Sequence, residues 1–395
     1  MTGVPTERSP ALDGVRGVAL LVVVLHNTAW TGGASNQAAL KLYRAAAAAG
    51  WVGVQLFFVL SGLLITNILL DTRGSPDFFR RFYLRRSLRI FPLYYTMIVF
   101  VVCIAAPLAW SPTWTESVYR HQWAFWLYVS NWTEPLVGGV RGLSHLWSLA
   151  VEEQFYMVWP ALVLWLPPRR LVWLVVAMVA GAPFVRMALL HNGLPPLVAY
   201  NFTVARMDAL AIGAFLALCL RDRVLRGHLR RWLAPLTAMG SIVLVLLIAR
   251  QRGFHPEEPP VLILGQSLAA FLCFCLLAYT QFAGTIPGGT LVKRVFSAKA
   301  LGNLGTYSYA MYLAHTPLHA LLQGVGAPVV QQDDGLWHLP RLLAYSALVL
   351  ALSYATARLT WILIERPALR LKERVAPAAA GTITDALAGD SPAGR

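Results

Sequence analysis

Charged side chains are scarce in this sequence. Asp, Glu, Lys and Arg make up 13% of its 395 residues, against 57% hydrophobic residues, and the mean hydropathy is +0.57. A soluble chain of this length carries far more charge on its surface, so that class is excluded. Acidic residues are the scarcer sign, 18 against 33 Lys and Arg, for a net charge of +15. In a soluble protein such an excess points to nucleic acid. In a chain this apolar it is an orientation signal and a phospholipid contact, and no nucleic-acid partner is implied. Cysteine is also rare. Cys103, Cys219, Cys273 and Cys275 all sit in apolar runs, and the last two lie two apart on one helix, pointing to different sides. They read as small buried thiols rather than a disulfide or metal framework. No internal repeat is present.

What the sequence has is apolar runs near twenty residues long, recurring along the chain, which makes it an all-α polytopic membrane protein. Ten spans are expected in one bundle, at about 14–30, 51–70, 89–110, 145–166, 171–190, 204–220, 232–250, 261–281, 301–322 and 341–363. The membrane domain then covers 10–375, between disordered ends at 1–9 and 376–395, the latter rich in Ala, Gly, Pro and Ser. The segment WAFWLYVSNW (123–132) is too short to span and reads as re-entrant or interfacial. Arg and Lys cluster at 80–89, 221–231 and 366–374, all on one side of the ten-span pattern. That asymmetry sets both termini in the cytoplasm of a multi-pass plasma-membrane protein. A cleaved signal peptide is the competing account of the first run, but His26 and Asn27 interrupt the approach to a cleavage site.

Polar groups inside such spans cost roughly 2.5–3.5 kcal/mol each when charged, so they face the bundle interior, find partners and mark pathways or reaction sites. The fourth run, LSHLWSLAVEEQFYMVWPALVLWL, holds His145, Ser148, Glu152, Glu153 and Gln154 in its first half. His145, Ser148, Glu152 and Trp159 recur at helical spacing and share a face, while Glu153 sits about 100° away. One carboxylate can face a cavity while the other locks a neighbouring helix; the bland alternative pairs both with arginines on other spans. His26 in the first span is either a hydrogen-bonding strut or a general base. The band Arg80, Arg81, Arg85, Arg86 and Arg89, just before Pro92, suits phosphate groups through planar bidentate forks, or lipid headgroups equally well. Arg206 and Asp208 read as ion-pair partners to other helices or as substrate contacts. Tyr309, Tyr312 and His315 form a shared face in the ninth span, as a helix interface or a site wall. Ser61 and Gly62 read as small residues for close packing.

Seven fragments in this order resemble the acyltransferase 3 family of membrane proteins: LDGVRGVALLVVVLH, GVQLFFVLSGLLIT, FYLRRSLRIFPLYY, HLWSLAVEEQFYMVWP, RMDALAIG, YSYAMYLAH and ERP, spread over about residues 10 to 370. The resemblance implies a ten-helix bundle that moves an acyl group, commonly acetyl, from acyl-coenzyme A to a hydroxyl of a polysaccharide, a lipid-linked glycan or a macrolide-like metabolite. Acyl-coenzyme A (acetyl-CoA) is then a co-substrate, and no metal is implied. The family separates the arginine and histidine of its first span by eleven positions. Here Arg16 and His26 are ten apart, about 80° off one another on an ideal helix, and the eleventh position is Asn27. Either the helix is locally wound to compensate or the arginine's role is shifted.

No nucleophilic cysteine or serine elbow stands out, so direct attack by the acceptor hydroxyl is the simplest scheme. His26 takes the proton, and Glu152 or Glu153 orients that imidazole or holds the acceptor. Arg85, Arg86 and Arg89, with Arg16, hold the phosphates of the donor. His145, Ser148, Arg206, Asp208, Tyr309 and His315 complete the substrate side. The rival class is a proton-coupled transporter or exporter with His26, Glu152 and Glu153 as a relay. That class needs no arginine band, and no inverted repeat or pair of broken helices supports it. If both termini are cytoplasmic, a fluorescent-protein fusion after Val375 fluoresces and an alkaline phosphatase fusion at the same place stays inactive. The reverse pattern overturns the even-span topology.

Overall fold

The computed structural model describes residues 9–29, 38–108, 112–251, 253–324 and 338–375. The tails expected at 1–9 and 376–395 lie outside them, apart from Ser9. Among the described residues there are helices and no strand. In chain order the helices that matter here are α1 (Pro10–Thr28), α2 (Ala38–Ala48), α3 (Val52–Thr72), α4 (Phe78–Phe100), α5 (Pro112–Trp126), α6 (Ser130–Val137), α7 (Trp147–Trp165) and α8 (Pro168–His191). They are followed by α9 (Thr203–Arg221), α10 (Arg223–Gln251), α11 (Gln266–Gln281), α12 (Lys299–Thr306), α13 (Ser308–Gly324), α14 (His338–Thr360) and α15 (Arg366–Val375).

Among the described residues, eight helical stretches are long and apolar enough to cross a membrane. The two of the ten expected spans that fall short are α7, which carries Ser148, Glu152 and Glu153, and the 17-residue α13, which carries Tyr309 and His315. In α7 the polar residues Glu152, Glu153 and Gln154 replace the very apolarity by which a span is recognised, while α13 is short in its described length. The burial pattern is that of a membrane bundle. Val243, Val245, Leu246, Leu359, Ile362 and Leu363 stand exposed on α10 and at the end of α14, while Glu152, Glu153, Arg186, Arg206, Asp208 and His315 are buried. The arginine band is not in a loop as expected. It lies within α4, which starts eleven residues before the expected span and continues through Pro92. Arginine is a good helix former, and only the hydropathy falls at that end, not the helical backbone. The 123–132 segment forms the end of α5 and the start of α6, with Tyr128 at φ 54 between them. Cys219, Cys273 and Cys275 are buried thiols, and Cys103 is exposed.

Close crossings hold the interior together. A Cβ on Gly62 of α3 would stand 1.9 Å from the carbonyl oxygen of Leu210, and one on Gly213 of α9 would stand 2.0 Å from that of Val59. The backbones of α3 and α9 therefore meet with no room for a side chain, as small residues allow in membranes. Beside α3, α7 runs parallel to it: Ser61 bonds Glu152, Trp159 donates to Thr66 at 2.9 Å, and Arg73 reaches the carbonyls of Leu164 and Leu166.

A buried ion pair joins three helices. Both Nη atoms of Arg186 on α8 donate to Oδ2 of Asp208 on α9 at 3.0 Å, and Ser267 on α11 bonds both residues. Removing one partner of such a pair leaves an uncompensated charge away from water. Asp208→Asn is therefore expected to destabilise the bundle by about 3–5 kcal/mol. The double change Arg186→Met with Asp208→Leu should recover most of that, read as the apparent melting temperature in detergent. Equal losses in the single and double variants would show the pair to be inert.

Candidate active site

α1, α3, α4, α7 and α13 enclose a chamber of about 130 Å³. Its polar wall includes Arg16, Arg86, Arg89 and Tyr309 at one end, where the Tyr309 hydroxyl donates to the carbonyl of Ile90 at 2.9 Å, Ser61 and Glu152 in the middle, and Ser148 and Tyr312 beyond. Val54, Phe57 and Phe58 of α3 supply apolar wall. Four of the residues singled out from sequence on four separate helices, Arg16, Arg86, Glu152 and Tyr309, thus meet in one place.

Glu152 accepts hydrogen bonds from Ser61 at 2.8 Å and from the Tyr156 hydroxyl at 3.2 Å. The Arg86 guanidinium lies 4.1 Å from the centre of the Tyr156 ring, and its Nε has no hydrogen-bond partner among the described residues. Arg16 pairs with Asp13 at 2.8 Å. Three guanidinium groups, which stay protonated in any protein setting, thus stand around one chamber, a field suited to a polyanion. Arg85 faces away: its fork meets Glu373 of α15 at 3.1 and 3.4 Å. Glu153 points off the chamber, as its place on the helix wheel requires. It is buried, with Oε1 unpartnered.

Past Glu152 the polar wall continues. The hydroxyls of Ser148 and Tyr312 are 2.6 Å apart, and both reach the carbonyl of His145 at 3.0 Å. The His145 ring lies 5.3 Å from that of Tyr312 and 5.0 Å from that of His315, and both its nitrogens are buried without a partner. His315 donates from Nδ1 to the carbonyl of Tyr312 at 2.6 Å, which leaves Nε2 to accept from Asn27 at 3.1 Å.

That last contact answers the register question raised by α1. The helix runs unbroken from Pro10 to Thr28, so nothing compensates for the ten-residue spacing. Asn27 therefore shares the face of Arg16 and meets His315. His26 is turned toward the turn between α2 and α3, where a Cβ on Gly50 would touch its own Cβ. It does not line the chamber, and it stands about 15 Å along the axis from Arg16. Its Nδ1 donates to the carbonyl of Ala47 at 2.7 Å, so that carbonyl, rather than a carboxylate, orients the ring and leaves Nε2 with the basic lone pair.

Of the two residues read as ion-pair partners to other helices or as substrate contacts, Asp208 makes such a pair and Arg206 does not. Asp208 is taken by Arg186. Arg206 is fully buried, bonds Gln266 through Nη1, and has Nε and Nη2 unpartnered. The rings of Tyr200, Trp147 and Phe58 lie 4.9, 5.3 and 5.4 Å from its guanidinium carbon. Because Phe58 also lines the chamber, Arg206 stands one ring behind the wall.

Sequence reasoning missed Ser61 as a carboxylate partner, Tyr156 as a platform for Arg86, and Arg186 as the counter-ion of Asp208. For Arg186 the available signal was an arginine inside an apolar run; for Ser61 there was none beyond its neighbour Gly62.

A family model for an acyltransferase domain matches residues 9–358. Among curated proteins, the peptidoglycan O-acetyltransferase OatA of Listeria monocytogenes is 29% identical over 376 residues, 91% of this chain and 55% of that protein. YrhL of Bacillus subtilis is 31% identical over 375 residues, 87% and 53%. The O-acetyltransferase OatA of Staphylococcus aureus is 26% identical over 333 residues, 78% and 50%. The chain spans about half the length of these curated relatives. No solved structure matches it significantly.

Proposed function

The chain belongs to the acyltransferase 3 family, and on that premise we propose that it is an O-acyltransferase of the plasma membrane, moving an acetyl group from acetyl-coenzyme A to a hydroxyl of a carbohydrate. The observation that carries this reading is the chamber that joins Arg16, Arg86 and Arg89 to Ser61, Glu152 and the hydroxyls of Ser148, Tyr309 and Tyr312. The names of the relatives make peptidoglycan the first acceptor to try; another envelope polysaccharide, a lipid-linked glycan or a macrolide-like metabolite are the others.

In this scheme both termini and the arginine-lined end face the cytoplasm. The donor's phosphates rest on Arg85, Arg86, Arg89 and Arg16, where planar forks match phosphate oxygens. To bring Arg85 in, Glu373 must release it. The thioester arm extends along α3 toward the outer end of α1. The acceptor hydroxyl attacks the thioester carbonyl and His26 Nε2 takes its proton. The carbon–sulfur bond then breaks, and the coenzyme A thiolate leaves and is protonated. Glu152 or Glu153 holds the acceptor or the developing positive charge of the site. His145, Ser148, Tyr309 and His315 supply hydrogen bonds to the acceptor. Arg206 offers its unpartnered nitrogens from behind Phe58, and Asp208 acts through Arg186 and the seating of α9.

With radiolabelled acetyl-coenzyme A and purified protein, His26→Ala is expected to bind donor normally and lose transfer by about 10²-fold or more. Transfer near the wild-type rate removes His26 as the base. If His145→Ala or His315→Ala abolishes transfer instead, the proton acceptor lies on the chamber side of α1. Arg86→Gln should weaken acetyl-coenzyme A binding by roughly tenfold or more, through the loss of charge-assisted hydrogen bonds. An unchanged Kd for that variant overturns the phosphate clamp.

A further inference from the structure

A second cavity, larger than the chamber, lies between α8, α9, α10 and α11. It measures about 440 Å³, and its walls include Val176, Val179, Phe215, Leu229, Trp232 and Phe274. His228 is the one titratable imidazole on its lining. The slot exists because α10 leans on the bundle along a single stripe, with Leu229, Leu233 and Gly240 as its buried residues. Val176 is 40% exposed and Trp232 51%, so the slot opens sideways, toward hydrocarbon. A dry apolar void of this size forfeits the contacts its lining could make, and protein interiors hold few voids larger than a water molecule. An apolar occupant would restore those contacts.

One end of the slot is cationic. Arg169 and Arg170 stand at the start of α8, and Arg223 and Arg226 at the start of α10, each within two or three turns of the lining residues. These ends lie together, because α8 is antiparallel to α9, with Arg186 opposite Asp208, and α9 passes directly into α10. All four guanidinium groups are exposed and have no side-chain hydrogen bond or ion pair among the described residues. The nearby acid, Asp222, is engaged in capping α10, accepting from the backbone N–H groups of Val224 and Leu225 at 2.9 Å. Arg221 is paired with Asp71.

We infer that this slot binds an anionic diacyl phospholipid, one acyl chain in the groove and the headgroup phosphate on Arg169, Arg170, Arg223 and Arg226. The length of the groove selects this occupant. Its lining on α10 runs from Leu225 to Leu236, a rise of roughly 16 Å, which matches one leaflet of a hydrocarbon core about 30 Å thick. An acyl chain ends at the bilayer midplane; a polyprenyl chain runs well past it. The inference is independent of the acetyl-transfer reading and of the chamber residues.

Trp232 is the reporter, since brominated acyl chains quench tryptophan on contact. The protein is placed in phosphatidylcholine bilayers containing a small fraction of brominated phosphatidylglycerol or, separately, brominated phosphatidylcholine. The Trp232 signal is the difference between wild type and Trp232→Phe. The expected result is stronger quenching of that signal by the anionic lipid. The preference should fall by about fivefold for each arginine replaced by glutamine among the four. Val179→Phe, which narrows the slot without touching the rim, should relieve the quenching. Equal quenching by the two lipids, or a preference that survives replacement of all four arginines, overturns the site. Displacement by a polyprenyl phosphate at lower concentration than by unbrominated phosphatidylglycerol overturns the phospholipid assignment.

Discussion

The close passage of α3 against α9 is the constraint on which the rest of the structure depends. Gly62 and Gly213 let the two backbones meet at a distance that any side chain would prevent. In lipid there is no hydrophobic force to draw helices together, so such contact surfaces and interhelical hydrogen bonds carry the association. With α3 fixed in that way, Ser61 on its other side is presented to Glu152, and Phe58 is set between the chamber and Arg206. A wider crossing would separate the carboxylate from its hydroxyl partner and open the polar interior to acyl chains.

The chamber concentrates groups that are costly to keep from water. Arg16, Arg86 and Arg89 stand at one end with Glu152 next to them, and beyond it the hydroxyls of Ser148 and Tyr312 lead to the rings of His145 and His315 near the C-terminal end of α1. Several of these groups have incomplete hydrogen bonding: Nε of Arg86, both nitrogens of His145, and two nitrogens of Arg206. Unpaired buried polar atoms are uncommon in native structures; of these, Arg86 lines the chamber itself, while His145 and Arg206 lie behind its wall. The stable ion pair Arg186–Asp208 is of a different kind. Its carboxylate is saturated, and it clasps three helices beside the chamber rather than facing into it.

The two cavities divide by chemistry. The chamber is small, enclosed by five helices and polar along one wall; the lateral slot is three times larger, apolar and open to the side. They share α9 and α11 only indirectly, through the helices that back each wall.

The fold class, the positions of most spans and the identity of the polar candidates were legible in the amino-acid sequence by itself. Apolar length and the rarity of charge are properties of segments, and a membrane makes each segment answer to them independently. The helix wheel already set His26 about 80° from Arg16 and put Asn27 on the arginine's face, because an unbroken α-helix has a fixed angle per residue. What only the tertiary structure decided is which side chains meet. Glu152 found Ser61 while Glu153 was turned elsewhere; Asp208 went to Arg186, and Arg85 to Glu373. The arginine band proved to be helix, and α7 and α13 proved to add Ser148, Glu152, Tyr309 and Tyr312 to the chamber's polar wall. Those outcomes depend on the rotation and depth of each helix against its neighbours. Both are set by glycine crossings and side-chain shapes on other segments, which no single run of residues records.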